Sequence, residues 1–174
     1  PLTFTSIILF YAILDANAIV QHLKLSIAET LNIYYPFSGW TRPANVIIDR
    51  FDEDFPFTHA RVDCRIAHFL KRRETELLNR LLPRQPFQRK PKNTASPVLE
   101  FHASILSCGG VALGWACSHQ LVDAAMMRSF LKTICVVSRG DPDGVVRLDF
   151  AVKARLFLPR EPSPENNLNL METL

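Results

Sequence analysis

The spacing of apolar residues changes abruptly at Asp123, and this change constrains the fold more than any other feature of the chain. Before it, VLEFHASIL alternates between apolar and polar residues, and VALGWACS is apolar almost throughout, as in a strand covered on both faces. After it, apolar residues recur at the i, i+3, i+4, i+7 spacing of a helix, namely at Met127, Phe130, Leu131 and Ile134. We predict an antiparallel strand pair over 98–106 and 110–118, turning at SCGG, and a packed helix over 124–137.

The rest of the chain also mixes strands with helices. Residues 3–10 are rich in β-branched and aromatic residues and favour a strand. Residues 15–34 have helical spacing, with Asp15 or Asn17 available as the N-cap. NVIIDR and FPFTHARVDC indicate two strands around the acidic turn FDED, and residues 65–82 indicate one or two helices before a Pro-rich loop. The sequence therefore predicts an α/β domain with a mixed β-sheet flanked by helices.

The composition is that of a globular domain with a substantial core. The chain is 48% hydrophobic and 21% charged, and its net charge of +3 is too small to imply a nucleic-acid partner. Four cysteines without a C-x-x-C pair predict reduced thiols in a cytoplasmic protein, with neither a metal site nor a disulfide framework. No apolar run approaches the length of a membrane span, so we expect no membrane partner.

Two histidines are each followed four residues later by an aspartate, His119 by Asp123 and His59 by Asp63. With five histidines and nine aspartates in the chain, roughly one such sequence in four contains this spacing by chance. His59 falls on the polar face of an alternating strand. His119 follows a buried strand and precedes a helix, where α/β folds expose catalytic side chains. The residues alone leave two interpretations of His119 equally open: a proton-transfer site, or a core histidine beside a capping aspartate.

Five segments match a known family in the right order: HLKLSIAETLNIYYPFSGW, FPFTHARVD, CGGVALGWACSHQLVDA, SRGD and LDFAVKARLFLP. Together they resemble the BAHD acyltransferases, plant enzymes that use acyl-coenzyme A, and most of all the alkaloid-acetylating branch. The third segment contains His119 and Asp123 in that family's C-G-G to S-H-x-x-x-D context. Trp40 stands where the family has an arginine, and Ala124 stands where it commonly has a glycine.

The resemblance implies a division of the chain into domains. Residues 1–158 would be the N-terminal domain of the two-domain acyltransferase fold, incomplete at its start. Residues 159–174 would begin the linker between the domains, and the C-terminal domain would be absent. The full-length protein would be a monomer with its active site in a channel between the two domains. We expect the fragment alone to be inactive.

The resemblance also implies a reaction. An acyl group, most simply acetyl, would pass from acyl-coenzyme A to a hydroxyl or amine of a plant specialised metabolite. His119 would be the general base, and Asp123 would be structural, pairing with an arginine of the C-terminal half. Acyl-coenzyme A would be a co-substrate, with no bound cofactor and no metal. No covalent acyl-enzyme is needed, so Cys117 and Ser118 would serve packing or hydrogen bonding.

Two alternatives remain at this stage. Residues 65–92 contain nine Lys or Arg against only Glu74 and Glu76, a local net charge of +7 that could bind nucleic acid or a phosphate-rich ligand. A charge run of this kind is more often a solvated helix face, so we expect no nucleic-acid partner. The other alternative is a truncated remnant that keeps the histidine without any chemistry.

Overall fold

The computed structural model describes residues 4–12, 15–41, 48–50, 54–86, 95–145, 147–150 and 152. In chain order, the strands and α-helices are β1 (Phe4–Tyr11), α1 (Ala16–Ile33), β2 (Trp40–Thr41), β3 (Ile48–Arg50), β4 (Phe57–Val62), α2 (Ile66–Arg72), α3 (Thr75–Asn79), β5 (Ser96–Pro97), β6 (Leu99–Leu106), β7 (Val111–Ser118) and α4 (Ala124–Ser138). Short 3-10 helices cover Tyr35–Ser38 and Pro142–Gly144.

The main sheet has four strands in the order β1-β7-β6-β4. β7 is antiparallel to both β1 and β6, whereas β4 is parallel to β6. The sheet is therefore mixed, as the sequence predicts. The predicted strand pair is present as β6 and β7, and the predicted helix is present as α4.

Each face of this sheet is covered by helices. On one face, α1 and α4 pack on the odd-numbered residues of β6 and β7, with Phe101, Trp115 and Phe130 among the fully buried side chains. On the other face, α2 and α3 enclose a smaller cluster that includes Phe69 and Leu106. All eight residues of β7 are buried as a result, which confirms that this strand is covered on both faces.

Three local features differ from the sequence prediction or refine it. The strands on either side of FDED belong to different sheets, because β3 joins a small sheet of order β3-β2-β5 and β4 joins the main one. The turn itself, 51–53, lies outside the described residues. The loop before β6 also contains a strand, β5, that the sequence did not indicate. Asp15 rather than Asn17 caps α1, since its side chain accepts from the amides of Asn17 and Ala18.

The two glycines of the SCGG turn are needed for different reasons. Gly109 adopts a φ of 84°, in the region that favours glycine. Gly110 is needed for space, because a Cβ there would lie 2.9 Å from the carbonyl oxygen of Tyr11 and would overlap the side chain of Ile66. Only one of these glycines therefore uses its conformational freedom.

Candidate active site

His119 lies on a tight turn directly after the last residue of β7. Ser118 fixes the start of this turn, because its amide donates to the carbonyl of Val98 (2.9 Å). The Ser118 carbonyl in turn accepts from the amides of Leu121 (3.1 Å) and Val122 (3.0 Å). The His119 side chain is exposed, so in this structure it is not a core histidine.

Asp123 begins the helix that follows the turn. Its Oδ1 accepts from the amide of Met126 (2.7 Å), and its carbonyl accepts from the amide of Met127 (3.0 Å). The predicted N-cap of α4 is therefore present. Within the described part of the chain, the Asp123 carboxylate forms no hydrogen bond with His119, so its local role is to hold the helix.

The residues that precede His119 offer no ionised nucleophile. Cys117 is buried, and burial raises the pKa of its thiol to about 11, although a backbone hydrogen bond from Thr5 opposes the shift. The thiol is therefore protonated at neutral pH and is a poor nucleophile. The Ser118 hydroxyl is also buried and has no hydrogen-bond partner among the described residues.

His59 is remote from this turn. It lies exposed on β4, at the edge of the sheet, opposite Ala103 of β6. Ala103 is opposite Leu113, so His59 is level with the middle of β7 and is separated from it by β6. The structure therefore does not bring the two histidines together, and Asp63 follows His59 into an exposed bend.

The small sheet supports the His119 turn through Val98. The Val98 amide donates to the carbonyl of Gly39 (3.0 Å), while its carbonyl accepts from Ser118. Trp40, the residue that replaces the family's arginine, pairs with Pro97 in this sheet. Trp40 therefore lies on the strand next to Pro97, and Pro97 directly precedes Val98, whose carbonyl binds the Ser118 amide.

An ion pair that the sequence does not indicate lies at the same end of the sheet. Arg84 forms two hydrogen bonds with the carboxylate of Glu100, one of them from Nε to Oε2 at 2.6 Å. The two side chains are only 10% and 13% exposed. The Arg84 Cζ also lies 3.6 Å from the centroid of the Phe4 ring, a cation–π contact. No sequence pattern pointed to this pair, because Arg84 falls within a run of charges that suggests a solvated surface.

The basic run has less free charge than its sequence suggests. Arg84 is paired with Glu100, and Arg72 lies 3.5 Å from Glu74. The remaining described members are exposed, namely Arg65, Lys71, Arg73 and Arg80. Three further members, Arg89, Lys90 and Lys92, lie outside the described residues.

In the described part of the chain, no group of three or more His, Cys, Asp or Glu side chains is arranged to hold a metal ion. None of the described helices combines the length and apolar character that crossing a bilayer requires.

The sequence model of the family described as "Transferase family" matches residues 2–173. The chain belongs to this family. The resemblance to BAHD acyltransferases is thereby confirmed, and relatives and solved structures agree with it. Limonoid 21-O-acetyltransferase of Melia azedarach is 34% identical over 165 residues, which are 94% of this chain and 38% of that enzyme.

Solved structures share the fold. The crystal structure of vinorine synthase matches with a TM-score of 0.76 at 28% identity, covering 93% of this chain and 40% of that one. The sequence of vinorine synthase from Rauvolfia serpentina is 32% identical over 156 residues, or 87% of this chain and 37% of that enzyme. TRI101 of F. sporotrichioides, solved with coenzyme A and T-2, matches with a TM-score of 0.68 at 16% identity and shares the fold alone, over 88% of this chain and 38% of that one. The chain thus spans about two fifths of the length of these proteins.

Proposed function

We propose that this chain carries the general base of a BAHD acyltransferase that moves an acetyl group from acetyl-coenzyme A to a hydroxyl, or less often an amine, of a plant specialised metabolite. The observation that carries the proposal is the position of His119, exposed on a turn directly after a fully buried strand and followed by an aspartate-capped helix. Residues 1–158 are assigned to the N-terminal domain and 159–174 to the start of the linker. The other domain belongs to the rest of the protein, a division that agrees with the lengths of the relatives.

The reaction needs a base because an alcohol is a weak nucleophile at neutral pH. The His119 imidazole takes the hydroxyl proton as the oxygen attacks the thioester carbonyl. When the carbon–sulfur bond breaks, the imidazolium returns that proton to the departing thiolate, so charge and atoms balance. Such general-base assistance contributes about 10²–10⁴-fold in rate. Histidine suits both steps because its ordinary pKa is near neutral pH.

The surrounding residues fit a direct transfer without an acyl-enzyme. The protonated Cys117 thiol is no competitor for the acyl group. Asp123 holds the start of α4 through its cap, and the family resemblance assigns it a further structural pairing with an arginine of the C-terminal half. Acyl-coenzyme A is a co-substrate in this scheme, with no resident cofactor and no metal.

The relatives support the choice of acyl group and acceptor. The name of the Melia azedarach enzyme states O-acetyl transfer, and vinorine synthase represents the alkaloid branch that the motifs resemble. The four cysteines of this chain are free thiols, which suits a reducing compartment such as the cytosol. We assign the full-length enzyme as a monomer with neither a nucleic-acid nor a membrane partner.

The test is thiol release by the full-length protein. It would be incubated with acetyl-coenzyme A and a panel of hydroxylated alkaloids, phenols and amines, and the free thiol of coenzyme A would be measured. We expect release that depends on a hydroxylated acceptor. Release with no member of the panel, together with salt-dependent retention on immobilised nucleic acid, would instead favour a binding module. The absence of both would favour a non-catalytic remnant.

A further inference from the structure

The guanidinium of Arg84 joins two strands that are not neighbours in the sheet. It is hydrogen-bonded to Glu100 on β6 and stacked on Phe4 of β1, and β7 lies between these strands. On β7, Ala116 is the neighbour of Glu100, and Ser118 is the neighbour of Phe4. The guanidinium therefore crosses β7 at its last residues.

The segment that carries Arg84 lies directly on β7. The side chains on this face of the strand are small, namely Ala112, Gly114, Ala116 and Ser118. A Cβ at Gly114 would overlap the carbonyl oxygen of Leu81, so the backbone of the segment rests on the strand at that point. Leu81 thus meets the middle of β7, and Arg84 meets its end.

We propose that Arg84 is a positioning residue that sets the place of His119 relative to the sheet. The inference rests on the proposed role of His119 as the general base. Solvent screens the ion pair little, because both side chains are nearly buried. A guanidinium fork fixes the direction as well as the distance of its carboxylate partner. A displacement of Ser118, the last residue of β7, also displaces His119, because His119 is the next residue in the chain.

The full-length enzyme provides the first measurement. Arg84→Met keeps the length of the side chain but removes the fork, and Arg80→Met is the matched control because Arg80 is exposed four residues earlier. We expect Arg84→Met to lower kcat by at least about 10-fold, with little change in KM for acetyl-coenzyme A or for the acceptor. The reason is that misplacing a reacting group by about 1 Å can lower the rate about 10²-fold. Arg80→Met should stay within about 2-fold of the parent. An Arg84→Met enzyme with the parent kcat overturns the proposal.

A double-mutant cycle separates positioning from a purely structural role. If Arg84 acts through His119, Arg84→Met should lower kcat no further in a His119→Ala background. The same fold-loss in both backgrounds would mean general damage to the fold and would overturn the proposal. Arg84→Lys keeps the charge without the fork and provides a milder variant should Arg84→Met fail to fold. It should lower kcat in the parent background only.

The third measurement does not depend on turnover. The imidazole resonances of His119 and His59 would be assigned in the full-length protein by comparison with their alanine variants. Arg84→Met, or Arg84→Lys, should move the His119 resonance and leave that of His59 in place. If the parent releases no thiol, the proposed reaction fails, but the spectrum still decides this inference. A moved His119 resonance supports the positioning role, and an unmoved one overturns it.

Discussion

His119 and His59 lie in different environments of the main sheet. His119 is on a turn held by Ser118 at the end of a buried strand, whereas His59 is in the middle of an exposed edge strand. In the full-length enzyme, we expect His119→Ala to lower kcat by at least about 10²-fold, the loss expected of a general base. His59→Ala should leave kcat within about 3-fold, as is usual for an exposed residue outside the site. Thiol release measures both variants.

If His119→Ala turned over as fast as the parent, its H-x-x-x-D spacing would be a coincidence like that of His59. Circular dichroism of the His119→Ala enzyme is the control, because an exposed turn residue can be truncated without loss of fold. A drop in kcat with an unchanged spectrum would then reflect chemistry rather than stability.

The thiols of Cys108 and Cys117 should differ sharply in reactivity. Cys108 is exposed, and a hydrogen bond from the Ile66 amide (3.5 Å to Sγ) lowers the pKa of its thiol. The pKa of the buried Cys117 thiol is about 11, so at pH 8 only about one in a thousand is ionised. Iodoacetamide at pH 8 should therefore alkylate Cys108 first, as read by peptide mass spectrometry. Equal labelling of the two would show that the end of β7 opens readily.

The helix after the turn depends on its N-cap. Asp123→Ala removes the hydrogen bond to the Met126 amide, and we expect it to lower the free energy of unfolding by about 1 kcal/mol, measured by urea denaturation. Asp123→Asn is the matched control, since asparagine caps helices equally well but carries no charge. If Asn restores stability but not activity, the carboxylate has a further role, as the family resemblance implies. If Asn fails to restore stability, the cap is not what Asp123 contributes.

β7 is also sensitive to side-chain size on the face beneath Leu81. Gly114→Ala would force a Cβ against the Leu81 carbonyl oxygen, and we expect a destabilisation of about 1–3 kcal/mol with reduced kcat, because the segment carrying Arg84 must move. Gly140→Ala is the comparison. Gly140 has a φ of +67° and open space around it, so the cost should be about 1–2 kcal/mol of backbone strain with kcat unchanged. Equal kcat in both variants would contradict the link between this segment and the site.

The sequence predicts those elements whose signals lie within one continuous stretch of the chain. β6, β7 and α4 are encoded by periodicity and by a turn within a continuous stretch, so 98–138 could be predicted closely. The partner of β4 and the separate sheet of β3 could not be predicted, because strand pairing depends on residues far apart in the chain. The ion pair of Arg84 could not be predicted for a similar reason, because its partner, Glu100, is 16 residues away across a Pro-rich loop. His119 could be singled out only because the family resemblance added to its position between β7 and α4.

At the scale of the whole molecule, the candidate site depends on more than these residues. The chain spans 38% of the limonoid enzyme and 40% of vinorine synthase. If the active site is a channel between two domains, as the family resemblance implies, these residues would form one side of it. β1 is at the edge of the main sheet, and its Ile7 and Tyr11 side chains are 39% and 37% exposed. An apolar edge strand of this kind readily pairs with another chain.

The 174-residue chain produced alone should therefore behave differently from the full-length protein. We expect the isolated chain to self-associate in size-exclusion chromatography with light scattering, because no strand among the described residues pairs with the outer edge of β1. We also expect it to release no thiol from acetyl-coenzyme A, because no second domain would hold the acyl donor against His119. Ile7→Lys on β1 is the control, since a charge on an edge strand opposes pairing and should reduce self-association without restoring turnover. A monomer with a cooperative melt and measurable turnover would show instead that these residues form a self-sufficient catalytic domain.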